Sequence, residues 1–324
     1  MGLHSGILDR KLEGVPRVQP MKHWLHAFRL RTLPLAVSSI LVGSALAYVA
    51  DQFRYSGPDQ FHPPVLVLAL LTAILLQVLS NLANDLGDHQ HGTDNADRVG
   101  PQRAVQSGAI TPARMKGAML ICGVLAFIGG CALITVALGF TLKTLLFLLL
   151  GILAIGAAVK YTFGSNPYGY AGLGDISVFI FFGIVGVCGT FYLHSGAFHP
   201  VLMLPAIAFG LLSTGVLNVN NMRDIHNDAA SGKRTLVVRM GAHYAKVYHT
   251  ILVLGGVVAL SVFAWMVHQW QAWLFMLVLP GFIIHLRRVW TVPEPRALDP
   301  QLKVLAMGTF LTALLFSLGL ILAV

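Results

Sequence analysis

The sequence predicts an all-α polytopic membrane protein, nine transmembrane helices in one bundle around a central cavity open to the cytoplasmic side. Three observations carry this expectation. Only 11% of the 324 residues are charged and 56% are hydrophobic, whereas ordinary soluble domains carry about 25% charged and 45–50% apolar residues. Apolar runs of about 18–24 residues, the length at which a helix crosses a bilayer, recur along the whole chain. The Lys and Arg residues crowd into every second connecting segment, the bias that orients membrane helices.

Residues 1–21 read as a polar, proline-containing tail with no secretory signal. Lys22–Arg31 (KHWLHAFRLR) is basic and aromatic and is expected to form a short interfacial helix, with Trp24 and Phe28 on one side. The nine spans are then expected at about Leu33–Ala50, Pro64–Leu82, Met115–Leu138, Thr144–Tyr161, Leu173–His194, Pro200–Asn220, Val247–His268, Trp270–Leu286 and Val304–Leu322. Of the 22 Lys and Arg residues, only Arg54 and Lys143 fall in the loops after spans one, three, five and seven. This places the N-terminus in the cytoplasm and the C-terminus outside. Eight spans would break the alternation. The net charge of +9 therefore reports cytoplasmic loops and not a nucleic-acid partner. Cys122, Cys131 and Cys188 all lie within apolar runs, without CxxC spacing, and read as small hydrophobes.

The acids are distributed as unevenly as the cations. Asp85, Asp88, Asp94 and Asp97 follow span two within Asn81–Gly108, Asp224 and Asp228 follow span six, and Asp175 opens span five. More than half of the 13 acids thus converge on one mouth of the bundle, and carboxylates at such a place are costly and read as functional. A helix continuing past Leu82 would put Asp85 and Asp88 on one face, at i and i+3. Asp224 and Asp228, at i and i+4, would share a face on span six or its extension. A weak internal repeat accompanies them: Asn84–Asp85 closes span two as Asn220–Asn221 with Asp224 closes span six.

The donor set, Asp and Asn oxygens, suits a hard ion. Mg²⁺ typically takes one or two carboxylates together with waters and substrate phosphates. Around the acids stand Arg98, Arg103, Arg223, Lys233, Arg234 and Arg239, and carboxylates for metal with cations for phosphate oxygens make a diphosphate site. Two other readings compete with this one. Solvated salt bridges would produce one such cluster, but here the pattern occurs at the ends of two non-adjacent spans. A proton or sodium pathway would want acids deep within spans, and spans one to four and seven to nine have none. His89, His91 and His226 lie among the acids, but without cysteine ligands or an HExxH pattern they read as helper or solvated residues rather than zinc ligands.

Asn84–Asp88 followed by Asp94 and Asp97, with RDIHND (Arg223–Asp228) and GKRTLVVRMG (Gly232–Gly241), resembles the two Asp-rich motifs of the UbiA superfamily of intramembrane prenyltransferases. The resemblance runs from FRLRTLPLA (Phe28–Ala36) to the last span. Three stretches resemble the menaquinone branch in particular: RTLPLAVSSILVGSALA (Arg31–Ala47), DNADRVGPQRAVQSG (Asp94–Gly108) and KYTFGSNPYGYAGLGDISVFIFFG (Lys160–Gly183). In one respect the chain departs from the family. Its first motif is often NDxxDxxxD, and here Gly92 stands at the last position, with Asp94 the next acid.

The resemblance implies one prenyltransferase domain over residues 1–324, in a bacterial inner membrane. It implies transfer of a polyprenyl group from an all-trans polyprenyl diphosphate to 1,4-dihydroxy-2-naphthoate, with loss of carbon dioxide and diphosphate. Two Mg²⁺ ions, or Mn²⁺, would be held by Asp85, Asp88, Asp224 and Asp228 with Asp94, Asp97 or both. Asn84, Asn221, Arg98, Arg103, Lys233 and Arg234 would meet the diphosphate. Lys160, Tyr161, Tyr168, Tyr170 and Asp175 would seat or deprotonate the aromatic acid, although Tyr and Lys also serve as membrane-interface anchors. The alternatives are the same fold acting on another acceptor, such as 4-hydroxybenzoate, and an ion-coupled transporter.

Overall fold

Nine helices among the described residues are long and apolar enough to cross a membrane, in the order expected. A computed structural model describes residues 20–50, 61–95 and 99–324; most of the expected polar tail, Arg54, Asp97 and Arg98 lie outside the described residues. In hydrocarbon each backbone N–H and C=O must be satisfied within its own segment, which is why every span is helical.

Helix α1 (Pro20–Phe28) carries the basic, aromatic segment, with Trp24 and Phe28 ring centroids 6.2 Å apart. It stops at Arg29, whose backbone is left-handed (φ 50, ψ 59), and one turn of 3₁₀ helix (Leu30–Thr32) leads into α2 (Leu33–Tyr48). Then come α3 (Pro63–Gln90), α4 (Pro112–Leu138) and α5 (Leu142–Lys160). Span α6 (Gly174–Ser195) is widened into π turns over Phe179–Gly189. After it stand α7 (Met203–Arg223), the short α8 (Ile225–Ala230) and α9 (Leu236–Met266). The last two spans each begin as 3₁₀ turns, Trp270–Val278 before α10 (Leu279–Thr291) and Pro295–Leu298 before α11 (Asp299–Ile321).

Helix α7 is the centre of the bundle: Ala206, Ala208, Phe209, Leu212 and Val219 have no exposed surface. Its neighbours α2, α6, α9 and α11 pack around it. Helices α4 and α5 lie on the outside and turn Leu120, Ile128, Leu145, Leu149 and Leu153 outward. An apolar surface of that extent belongs against lipid.

Three of the boundaries that differ from expectation bear on the site. Helix α3 runs to Gln90, so the first acids sit on its last turns. Helix α9 begins at Leu236 because Gly241 (φ 80, ψ 165) joins a turn from the polar mouth to the span; glycine adopts that backbone without steric cost. Helix α7 ends at Arg223, and Asp224 stands at a break before α8 (φ −96, ψ 7). Asp224 and Asp228 therefore do not share a face of one continuous helix.

Gly87 sets the last piece in place. A Cβ there would lie 2.4 Å from the Thr162 carbonyl oxygen. Its absence lets the segment after α5 lie directly on α3, between Asp85 and Asp88.

Candidate active site

Helix α3 presents Gln77, Asn81, Asn84 and Asp88 at helical spacing, so the four form one polar stripe. That stripe lines a cavity of about 410 Å³, shared with Asn220 and Asn221 of α7. Further in, the wall is apolar: Leu76, Leu133, Phe147, Phe181, Val185 and Leu193. Pockets for small organic ligands run to about 300–1,000 Å³ and are built in this way, apolar with a few convergent polar groups.

The polar end is held by a network around Asp88. One of its carboxylate oxygens accepts from the Tyr170 hydroxyl at 2.8 Å, and the other pairs with the Arg103 guanidinium at 2.8 Å. Arg103 also pairs with Asp94 at 3.2 Å. The Tyr170 hydroxyl lies 2.6 Å from the Thr93 hydroxyl, and the Lys233 ammonium sits 5.4 Å from the Tyr170 ring centre. Burial opposes the charge on both cations, yet Asp88 and Asp94 hold the Arg103 pKa above its ordinary value, and Asp88 and Asp228 do the same for Lys233. Both stay charged. Burial, reinforced by Asp88, pushes the Tyr170 phenol up, so it remains a donor.

Asp85 plays a different part. Its two oxygens accept the backbone amides of Ala104 (3.2 Å) and Val105 (3.1 Å). Asp85 and Asp88 do address the same loop, as their spacing predicts, but only Asp88 lines the cavity.

The second acid cluster reaches the first through Asn227, whose amide donates to the Thr93 carbonyl at 2.9 Å. Asp228 is buried and pairs with Lys233 at 3.5 Å, while its other oxygen, Oδ2, has no hydrogen-bond partner. Burial pushes its pKa up to about 6, against the pull of Lys233. Both oxygens of Asp224 are taken by Arg223, at 2.8 and 2.6 Å, and the same guanidinium pairs with Asp299 at 2.6 Å.

Among the described residues no three His, Cys, Asp or Glu side chains are gathered closely enough to hold an ion alone. The donors nevertheless fit Mg²⁺. Asp228 Oδ2 is buried and unpartnered, the surrounding acids are all-oxygen donors, and an ion of this kind completes its shell with water and substrate phosphate. Asp88 and Asp228 are the residues that would hold it, one from each cluster.

The profile of the UbiA prenyltransferase family matches residues 45–314. The chain belongs to this family. It is 47% identical over 93% of its length to the 1,4-dihydroxy-2-naphthoate octaprenyltransferase of Escherichia coli, covering 95% of that protein. It is 46% identical over 94% of its length to the octaprenyltransferase of the same name from Haemophilus influenzae, covering 97%. Among solved structures it shares the fold of the UbiA homologue from Aeropyrum pernix, with a TM-score of 0.63 at 17% identity, over 92% of this chain and 98% of that one. It also shares the fold of the homologue from Archaeoglobus fulgidus bound to DMAPP and Mg²⁺, with a TM-score of 0.56 at 15% identity, over 91% and 99%.

Within this UbiA fold the expected residues divide. Asn84, Asp88, Arg103, Tyr161, Tyr168, Asn221 and Lys233 line the cavity. Asp94, Tyr170 and Asp228 brace them. Arg234 is exposed, and it is its backbone amide that is tied, to the Tyr170 carbonyl at 3.0 Å. Lys160 is exposed and donates to the Ser165 carbonyl, away from the cavity. Asp175 is buried and bonded by Tyr248 but does not line the cavity. Arg29, Thr32, Gln77, Asn81 and Asn220, which do line it, escaped the reading of acids and their neighbouring cations. The signal available for two of them, Gln77 and Asn81, was the polar spacing Gln77, Asn81, Asn84, Asp88 within an otherwise apolar span.

Proposed function

We propose that this chain transfers a polyprenyl group from an all-trans polyprenyl diphosphate to 1,4-dihydroxy-2-naphthoate, releasing diphosphate and carbon dioxide and yielding demethylmenaquinol, the hydroquinone form of demethylmenaquinone. The observation that carries the reading is the meeting of the two acid clusters, with Lys233 and Arg103 between them, on an apolar cavity. Near-full-length relatives that are dihydroxynaphthoate octaprenyltransferases support the choice of acceptor.

The residues divide the work by their chemistry. Lys233 and Arg103, kept charged by their acid neighbours, face the phosphate oxygens and stabilise the negative charge that grows on the leaving diphosphate. Asp88 and Asp228 would hold Mg²⁺, which would supply Lewis-acid neutralisation of the same charge. Asn84 and Asn221 orient the diphosphate from opposite walls. The apolar wall holds the prenyl tail and keeps water from the allylic cation that forms as its C–O bond ionises. The electron-rich naphthoate ring attacks that carbon from the side of Tyr161 and Tyr168, and its carboxyl group leaves as carbon dioxide. Burial raises the Tyr161 phenol, with Asp175 adding to the effect; Tyr161 thus acts as a neutral hydrogen-bond donor and not as a base. The whole chain works as one unit of a multi-pass protein. Its cation bias supports a polar mouth on the cytoplasmic face of a bacterial inner membrane, with the N-terminus inside and the C-terminus outside.

Membranes containing the full chain, given Mg²⁺, a polyprenyl diphosphate and each acceptor in turn, test the reading. Prenylated product from 1,4-dihydroxy-2-naphthoate is expected, and product from 4-hydroxybenzoate alone would refute the assignment. No prenylated product with either, together with ion flux through liposomes, would favour a transporter.

A further inference from the structure

We propose that Arg29 receives the carboxylate of the aromatic acceptor, making the bend between α1 and α2 the acceptor subsite. The proposal rests on the function stated above and deepens it. Arg29 is held in left-handed backbone (φ 50, ψ 59), a conformation that residues other than glycine seldom adopt. The surrounding structure fixes it there. Its carbonyl accepts both the amide and the hydroxyl of Thr32, each at 2.9 Å. On α3, the Asn81 amide donates to the Phe28 carbonyl at 2.9 Å and to the Thr32 hydroxyl at 3.1 Å, and Gln77 donates to Asn81 at 3.2 Å. Arg29, Thr32, Gln77 and Asn81 all line the cavity.

Three cations line the cavity among the described residues: Arg29, Arg103 and Lys233. Arg103 and Lys233 are paired with Asp88 and Asp228 at the end of the cavity assigned to the diphosphate. Arg29 lines the wall beside the amides, and its charge also reaches Asp88. The bond from Asn81 to Phe28 anchors its backbone about 10 Å deeper along α3 than Asp88, seven residues at 1.5 Å each, so its guanidinium enters the cavity from the deeper side. A planar aromatic acid with its ring at the reacting carbon needs a cation at that remove from the diphosphate, and a guanidinium offers a carboxylate two parallel hydrogen bonds. Lys160, the cation first expected there, points away.

The test is binding to the purified full-length protein of two unreactive probes that differ only in the carboxylate, 1-hydroxy-2-naphthoate and 1-naphthol. Wild type should bind the acid more tightly. Arg29→Gly, in which the left-handed backbone is retained without cost, should weaken the acid about tenfold or more and leave 1-naphthol within about twofold. Arg29→Lys should fall between. In turnover, KM for dihydroxynaphthoate should rise while KM for the prenyl diphosphate holds. Equal weakening of both probes, or a rise confined to the prenyl diphosphate, would overturn the proposal. If wild type discriminates between the probes and Arg29→Gly does so equally, Arg29 alone is wrongly assigned; if wild type binds neither, the acceptor reading falls with it.

Discussion

The Asp85 carboxylate accepts the backbone amide of Val105 at 3.1 Å, and that of Ala104 at 3.2 Å. An acid in a motif expected to bind metal is thus spent on the loop that carries Arg103. Asp85→Ala would strand two buried amides, a cost of about 1–3 kcal/mol each at most, and would release Arg103 from Asp88. Thermal denaturation should show the loss. Asp85→Asn keeps one acceptor oxygen and should retain more activity than Asp85→Ala. Asp88→Asn should instead keep the fold and lose at least about a hundredfold in turnover, as removal of a transition-state charge partner does. Unchanged stability in Asp85→Ala would contradict the division of labour.

Tyr170 braces the first cluster by its hydroxyl, bonded to Asp88 and Thr93. Tyr170→Phe should cost about 1 kcal/mol of stability and lower prenyl transfer by less than Asp88→Asn does. Matched stability curves and initial rates would check this.

Gly87 leaves no room for a methyl group against the Thr162 carbonyl, 2.4 Å from where it would stand. Gly87→Ala should destabilise the protein by about 1–3 kcal/mol, as overpacking does, and push the Tyr161–Tyr170 segment off Asp88. Loss of activity together with a lower melting temperature is the expected pair of results.

Burial pushes the Asp228 carboxyl up to about 6, above the ordinary carboxylate value of about 3.9. Between these values the folded chain keeps a proton that the unfolded chain has lost, so this group's contribution to stability falls as pH rises through the window. Ions compete with that proton, since a ligating carboxylate must be ionised. The thermal shift on adding Mg²⁺ with diphosphate should be larger at pH 7.5 than at pH 5. Equal shifts would remove Asp228 from the ion's ligands.

The pattern of spans was legible because hydrocarbon imposes length and polarity on each span directly, and the nine spans among the described residues follow from those two quantities. The convergence of two acid clusters on one mouth was legible for the same reason, since span parity fixes sides. Individual roles were less so. That Asp85 would meet Ala104 and Val105 depends on where a loop folds back, which spacing along one helix does not encode. The pairing of Asp224 with Arg223 follows from a helix break at Asp224, and nothing in RDIHND marks such a break. Arg29 sits in an interfacial segment whose basic, aromatic composition has a sufficient explanation in the membrane surface. Only the left-handed turn and the Asn81 bond bring it into the cavity.

The central claim is that Asp88 and Asp228 belong to one diphosphate clamp. Mg²⁺-dependent binding of an unreactive polyprenyl diphosphate analogue to wild type, Asp88→Asn, Asp228→Asn and the double variant tests it most directly. The account predicts strict dependence on the ion, a large loss in each single variant, and little further loss in the double, because residues acting as a unit are non-additive. Binding without Mg²⁺, or losses that simply add, would contradict it.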